Sequence, residues 1–152
     1  MKTSILIDHE PVADGGFFVR ALLRIEGDPP KAEDRVPLNL SLVLDRSGSM
    51  AGEPLRAAIS AAAMLVRRLH MDDVVSVVAY DDEVEVVAKP ATGDEQEELA
   101  RQIEGITVGG MTNLSGGWLR GHDLVAENRR EGGVNRILLL TDGHANRGIT
   151  AP

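Results

Sequence analysis

The sequence predicts an α/β fold built on a mostly parallel β-sheet with one antiparallel edge strand. Two short apolar runs, residues 38–44 and 74–80, flank a helical pattern, which is the order of a parallel crossover unit. Another apolar run begins only three residues after the second, and this gap is too short for a helix, so its strand should turn back antiparallel. Two of the predicted strands, residues 38–44 and 135–141, are each followed directly by an aspartate, so polar chemistry is expected where these strands stop.

Composition limits the classes of function. At 152 residues the chain can form a single domain with a real core. Its formal net charge of −8, with no basic cluster, argues against binding to nucleic acid or anionic lipid. The chain has no cysteine, so disulfides and cysteine-ligated zinc are excluded. The N-terminal apolar run is too short for a signal peptide or membrane span, so we expect a cytoplasmic protein.

The N-terminal part is predicted to form a β-strand extension. Ile5–Ile7 and Phe17–Ile25 have the composition of two strands joined by a turn rich in glycine, which indicates a β-hairpin. Glu26–Pro37, with its prolines and charges, is expected to be a linker or long loop. We therefore divide the chain into an extension and linker, residues 1–36, and a main domain, residues 37–152.

The first half of the main domain alternates strand and helix. Leu38–Leu44 predicts a buried central strand. A helix is expected from Glu53 to about His70, because Pro54 suits a first turn and apolar residues recur on one face. Val74–Tyr80 is apolar throughout, as expected for a parallel strand covered on both faces, and Val84–Ala88 is the expected edge strand.

The second half adds two helices and a strand. Thr92–Glu104 begins with acidic residues, which favour a helix N-terminus and are expected to face solvent. Another helix should begin at Leu114, with Trp118 in the core and with glycines that predict close packing on the sheet. Asn135–Thr141 is predicted to be a further buried strand.

The segment after the central strand suggests a metal site. Asp45, Ser47 and Ser49 alternate with other residues, so a tight loop can direct three oxygen atoms towards one point, and such oxygens suit a hard cation. The same residue types are also ordinary turn and helix-cap formers, which remains the alternative. The pattern lacks the lysine of a phosphate-binding loop and the GxSxG spacing of a nucleophile elbow.

Three spaced motifs together resemble the von Willebrand factor type A domain, in its bacterial form. They are the D-x-S-x-S of Asp45, Ser47 and Ser49, the threonine after a glycine pair in Gly109-Gly110-Met111-Thr112, and the T-D-G of Thr141-Asp142-Gly143. The resemblance covers the chain from about Pro37 to its C-terminus. It implies a doubly wound, Rossmann-like sheet with helices on both faces and a metal-ion-dependent adhesion site at the carboxyl edge.

The resemblance also implies a ligand set. The expected metal-binding residues are three hydroxyls and two carboxylates, the latter binding directly or through water: Ser47, Ser49, Thr112, Asp45 and Asp142. The expected ion is Mg²⁺, with Mn²⁺ or Ca²⁺ as alternatives. Candidates for a ligand-contacting rim are Arg46, which is expected to point outward, Met111 and His144.

The leading functional hypothesis is a non-enzymatic protein-binding module of the adhesion type. With only two carboxylates the ion stays electrophilic, so a partner's Asp or Glu carboxylate can replace a bound water. The alternatives are a metal-assisted hydrolase, for which the sequence offers no clear general base, and a scaffold with a vestigial metal site.

The resemblance also carries an expectation about completeness. Domains of this family usually continue with more strands and helices beyond the T-D-G motif, whereas this chain ends a few residues after it. We therefore expect an incomplete domain in which Asn135–Thr141 forms a hydrophobic edge strand. Another chain, or a second copy in a homodimer, would then complete the sheet.

Overall fold

The computed structural model describes residues 2–11, 17–26 and 35–143. The chain divides into two compact units, residues 1–35 and 36–152. The strands and helices, in chain order, are β1 (Lys2–Pro11), β2 (Phe17–Glu26), β3 (Leu38–Asp45), α1 (Glu53–Val66), β4 (Val74–Tyr80), β5 (Val84–Thr92), α2 (Gln96–Glu104), α3 (Leu114–Glu127) and β6 (Val134–Leu140).

The first unit contains an antiparallel pair of strands, as the sequence predicts. β1 pairs with β2 along its whole length, from Lys2 opposite Glu26 to Pro11 opposite Phe17. β1 is therefore longer than the predicted Ile5–Ile7. The hydrogen-bonded ladder extends through the polar residues that follow Ile7, because strand formation depends on a partner strand more than on the strand's own apolar residues.

The second unit contains a four-stranded mixed sheet in the order β5-β4-β3-β6. β3 pairs in parallel with β4 and with β6, and β4 pairs antiparallel with β5. This confirms the predicted α/β fold with an antiparallel edge strand. Within the described sheet β6 is the other edge, and its side chains are half-buried or exposed rather than fully buried as predicted.

Helices cover both faces of this sheet, because side chains of the central strands alternate between two apolar clusters. Leu40, Leu42 and Leu44 of β3 pack in the cluster that includes residues of α1 and α2. Val43 packs on the opposite side, with Tyr80 and with residues of α3. Burial on both faces explains why β3 and β4 have near-continuous apolar sequences.

Helix α3 lies close to the sheet because glycines form part of its inner face. A Cβ atom on Gly121 would lie 2.5 Å from Val43 Cγ2, and one on Gly117 would lie 2.5 Å from Tyr80 Cδ1. The predicted close packing is thus confirmed. Trp118, which was expected in the core, is 43% exposed. That prediction was wrong because Gly117 and Gly121 occupy the face towards the sheet and leave Trp118, one residue further round the helix, partly in solvent.

Three other element boundaries differ from expectation. α1 ends at Val66 rather than near His70, and turns connect it to β4. β5 continues to Thr92 because β4 offers a pairing partner as far back as Val74. α2 begins at Gln96, after one turn of 3-10 helix. None of the helices in the described ranges is long and apolar enough to cross a membrane.

Candidate functional site

Strand register brings three chain segments to the same edge of the sheet. Asp45, the last residue of β3, pairs with Tyr80, the last residue of β4. Leu44 pairs with Leu140, so Thr141, the next residue, comes level with Asp45 on the other side. Since parallel strands end at the same edge, polar groups far apart in sequence become neighbours there.

The carboxylate of Asp45 is buried and held by three hydrogen bonds. Its Oδ1 accepts from the Ser47 main-chain N–H at 2.9 Å. Its Oδ2 accepts from Thr141 Oγ1 at 2.7 Å and from the Tyr80 hydroxyl at 3.2 Å. These donors offset the cost of burying a charge and fix the orientation of the carboxylate.

Two serine hydroxyls meet directly after Asp45. The Asp45 loop, residues 45–50, turns sharply because the Ser47 N–H is bonded back to Asp45 and a 3-10 turn follows at Gly48–Met50. Ser47 Oγ lies 3.2 Å from Ser49 Oγ. Ser47 is buried and Ser49 is exposed, so this pair of oxygens extends from the interior to the surface.

The Thr112 loop, residues 108–113, lies against the Asp45 loop. The Gly48 N–H donates to the Gly110 carbonyl at 2.8 Å, and the Gly109 N–H donates to the Arg46 carbonyl at 2.7 Å. Thr112 is buried, whereas Met111 beside it is 50% exposed. Thr112 and the two predicted serine ligands therefore belong to two loops that are joined by main-chain hydrogen bonds.

The third loop follows β6 and contains Asp142. The Gly143 N–H donates to Thr141 Oγ1 at 3.0 Å, and Gly143 has a positive φ of 87°, which suits glycine. Asp142 is exposed. All five predicted metal-binding residues thus lie on loops at one edge of the sheet, and their role in binding stays a prediction. His144 lies outside the described residues.

Arg46 was expected to point outward, but its side chain instead lies against two carboxylates. Its guanidinium forms an ion pair with Glu85 at 2.6 Å and another with Asp81 at 3.4 Å, and only 16% of its side chain is exposed. Burial opposes the charged form, but the two carboxylates outweigh it and raise the pKa of Arg46 above its ordinary value. A contribution of Arg46 or Met111 to a ligand rim stays a prediction.

Sequence reasoning assigned no site role to Tyr80 and noted Thr141 only as part of the T-D-G motif. Burial, together with the nearby Asp45 carboxylate, raises the pKa of the Tyr80 hydroxyl well above its ordinary value, so it remains a neutral donor. The available signal was positional, because each stands at or just after the end of a strand next to β3.

In the described part of the chain, no group of three or more His, Cys, Asp or Glu side chains is arranged to hold a metal ion.

Comparison with known proteins agrees with the arrangement of fold and loops. The family profile of the von Willebrand factor type A domain matches residues 40–144. Protein sll0103 of Synechocystis sp. is 40% identical over 148 residues, which are 95% of this chain and 35% of that protein. Inter-alpha-trypsin inhibitor heavy chain H3 of Pongo abelii is 29% identical over 131 residues, covering 81% of this chain and 15% of the relative. The chain thus spans about a third or less of the length of these relatives.

A solved structure gives the same result for the fold. The vWF domain of the type V pili tip protein Mfa5 from Porphyromonas gingivalis is 26% identical, with a TM-score of 0.61. The likeness covers 73% of this chain and 39% of that one.

Proposed function

The chain belongs to the von Willebrand factor type A domain family, and on that premise we propose that it binds a divalent cation in order to recognise a carboxylate of a protein partner. Domains of this family are typically protein-interaction or adhesion modules. The proposed ion is Mg²⁺, with Mn²⁺ or Ca²⁺ as alternatives. The proposed ligands are Asp45, Ser47, Ser49, Thr112 and Asp142.

The observation that carries this proposal is the spacing of the two serine hydroxyls. Ser47 Oγ and Ser49 Oγ are 3.2 Å apart. Adjacent ligands of an octahedral Mg²⁺ with bonds of about 2.0 to 2.1 Å are separated by about 2.9 Å, and the slightly longer bonds of Ca²⁺ give a larger separation. The hydroxyl pair therefore fits two neighbouring coordination positions of a hard cation with little adjustment.

The hydrogen bonding of Asp45 is compatible with the same site. An ionised carboxylate has about four acceptor positions, and three of those of Asp45 are used within the protein. One position is left for the ion or for a water molecule that binds it. A bound cation would supply an electrophilic position for a partner's carboxylate, and the protein's own residues would hold and orient it.

Tyr80 and Arg46, which flank Asp45, do not supply a general base. An enzyme that activates water needs a base that accepts a proton near neutral pH. Tyr80 and Arg46, two side chains that flank Asp45, keep their protons near neutral pH, because their ordinary pKa values are already about 10 or higher and the site raises them further. We accordingly propose a module that is not an enzyme, and hydrolysis of generic phosphate or ester substrates would contradict this part of the proposal.

The likeness to Mfa5, a pili tip protein, supports an adhesion-type role.

Three expectations stay predictions. They are completion of the sheet at β6 by another chain or by a second copy, the truncation after the T-D-G motif, and a cytoplasmic location.

Calorimetric titration with Mg²⁺ and Mn²⁺ tests the metal site. Wild type should bind one ion, Asp45→Ala should bind none and Ser49→Ala should bind more weakly. Because Ser49 is exposed and its hydroxyl meets that of Ser47 at the surface, Ser49→Ala should leave the fold intact. The matched control is Ser60→Ala, the same change at an exposed position on α1, which should bind like wild type.

Thermal unfolding provides a second measurement of the same site. If only the folded chain binds, an ion at a hundred times its dissociation constant should stabilise wild type by about 2.7 kcal/mol. A chelator should remove this increment, and Asp45→Ala should lack it. A wild-type protein that neither binds ions nor gains stability would contradict the proposal and favour a scaffold with a vestigial site.

A further inference from the structure

The turn between β4 and β5 contains a residue that no motif singled out. The geometry points to Asp81 as a positioning residue that holds the Thr112 loop in place beside the Asp45 loop. The part of this inference that concerns metal binding rests on the proposed function. The part that concerns the position of the Thr112 loop can be tested without metal.

Asp81 forms hydrogen bonds on both sides of Thr112. Its Oδ2 accepts from the Gly110 N–H at 3.1 Å, two residues before the threonine. Its main-chain carbonyl accepts from the Asn113 N–H at 2.7 Å, one residue after it. The threonine is therefore bracketed by two bonds to a single residue, which restrict how far its main chain can move.

The carboxylate of Asp81 is itself fixed by its own turn. Oδ1 accepts from the Glu83 N–H at 2.9 Å, and the Asp81 N–H donates to the Glu83 carbonyl at 2.9 Å. Burial opposes ionisation, but the N–H groups of Glu83 and Gly110, together with Arg46, hold the pKa of Asp81 below its ordinary value. The acceptor is thus an ionised group with a set orientation.

Arg46 links this turn to the Asp45 loop. Its guanidinium lies 3.4 Å from Asp81 Oδ2, while its carbonyl accepts from the Gly109 N–H. Its own N–H donates to the Tyr80 carbonyl at 2.9 Å. Asp81 and Arg46 consequently connect the Asp45 loop, the β4–β5 turn and the Thr112 loop in one network.

Steric contact explains why glycines precede Met111 and Thr112. A Cβ atom on Gly109 would overlap the carboxylate of Asp81, and one on Gly110 would overlap the carboxylate of Asp82. Asp82 also accepts from the Met111 N–H at 3.3 Å. The glycine pair is therefore needed for close approach of the Thr112 loop to the β4–β5 turn.

Loss of this anchor should weaken metal binding through Thr112. Outer-shell residues that orient metal ligands typically change affinity by about 10-fold to 100-fold when removed. We expect Asp81→Ala to weaken Mn²⁺ binding by about 10-fold. The charge control is Glu85→Gln, which removes a negative charge from the same Arg46 cluster without touching the Thr112 loop and should change affinity much less.

A double-mutant cycle with Thr112→Val separates positioning from a general charge effect. If Asp81 acts by placing Thr112, Asp81→Ala should have little further effect once the threonine hydroxyl is gone. If Asp81 acts only as a nearby negative charge, the two losses should add. Additive losses would overturn the inference, and near-complete masking would support it.

Amide hydrogen exchange of the metal-free protein tests the hydrogen bond from Gly110 to Asp81 by itself. Asp81→Ala should increase exchange at Gly110, while Glu85→Gln should leave it unchanged. If Asp81→Ala does not fold, Asp81→Asn takes its place, since it keeps the shape but weakens acceptance from Gly110. Unchanged exchange at Gly110 would overturn the inference even if metal binds, whereas faster exchange in a protein that binds no metal would support the anchor and contradict only the proposed function.

Discussion

The two ends of β3 both carry buried polar residues, yet their surroundings differ. At the amino end, Asn39 and the neighbouring Asp73 are bonded mainly to main-chain groups of the connections that surround them. At the carboxyl end, Asp45 and Ser47 meet the hydroxyls of Ser49, Tyr80 and Thr141. Main-chain partners stabilise the fold, whereas side-chain oxygens grouped at the edge of the sheet can also bind a ligand.

The amino end illustrates the structural use of buried polarity. The Asn39 amide nitrogen donates at 2.9 Å to the carbonyls of Val125 and Asn128, which lie at the end of α3. Asp73 accepts from the Leu38 N–H at 2.9 Å and from the His70 N–H at 2.8 Å. These bonds attach the end of α3 and the connection after α1 to the start of the sheet, so removal of either side chain should affect stability and not binding.

The largest expected effect is therefore at the amino end. Asn39→Ala should destabilise the protein by about 3 kcal/mol, because it leaves buried carbonyls without their donor. Its affinity for Mg²⁺ should stay within about twofold of wild type, or about 0.4 kcal/mol, because Asn39 lies at the opposite end of β3 from the proposed metal site. Urea unfolding and calorimetry check both values. A variant of normal stability that has lost metal binding would reverse the distinction between the two ends.

A smaller effect is expected at the carboxyl end from Tyr80→Phe, which removes one of three donors to Asp45. The metal-free protein should lose about 1 kcal/mol of stability. The raised pKa of Tyr80 adds a pH dependence, because the folded pKa lies above the unfolded value. The stabilisation from the neutral hydroxyl is complete below about pH 10 and decreases as the pH rises beyond it.

Tyr80 is the only tyrosine in the sequence, so its ionisation can be followed by ultraviolet absorbance without interference from another phenol. In folded protein the absorbance should stay that of neutral tyrosine at about pH 10, the ordinary pKa of the side chain, and it should change when the chain unfolds. Ordinary titration in that range in the folded state would contradict the buried contact with Asp45.

The smallest expected effect is on stability at low pH, and it comes from Asp81 in the β4–β5 turn. The folded pKa of Asp81 lies below its ordinary value, so its carboxylate stabilises the protein above about pH 4, and this contribution decreases as the pH falls through the folded pKa. Asp81→Asn should make the free energy of unfolding less dependent on pH in the acid range. Asp123→Asn, the same change at an exposed position on α3, is the control.

Local patterns in the sequence were enough to predict the α/β class, most strands and helices, and the loops that carry Asp45, Thr112 and Asp142. Apolar periodicity depends on residues close together in the chain, and β4 was predicted with its observed bounds, Val74–Tyr80. The resemblance carried by the three motifs was also sufficient to indicate the family, which the comparison with known proteins shows independently.

Only the tertiary structure decided which distant side chains meet. The contact between Tyr80 and Asp45 depends on strand register, and the contact of Asp81 with Gly110 depends on how a turn meets a loop 29 residues away. The same applies to Arg46, which pairs with two acids, and to Trp118, which is turned outward by its glycine neighbours. Spacing along a chain sets local conformation, whereas these contacts are selected by packing among segments that the sequence keeps far apart.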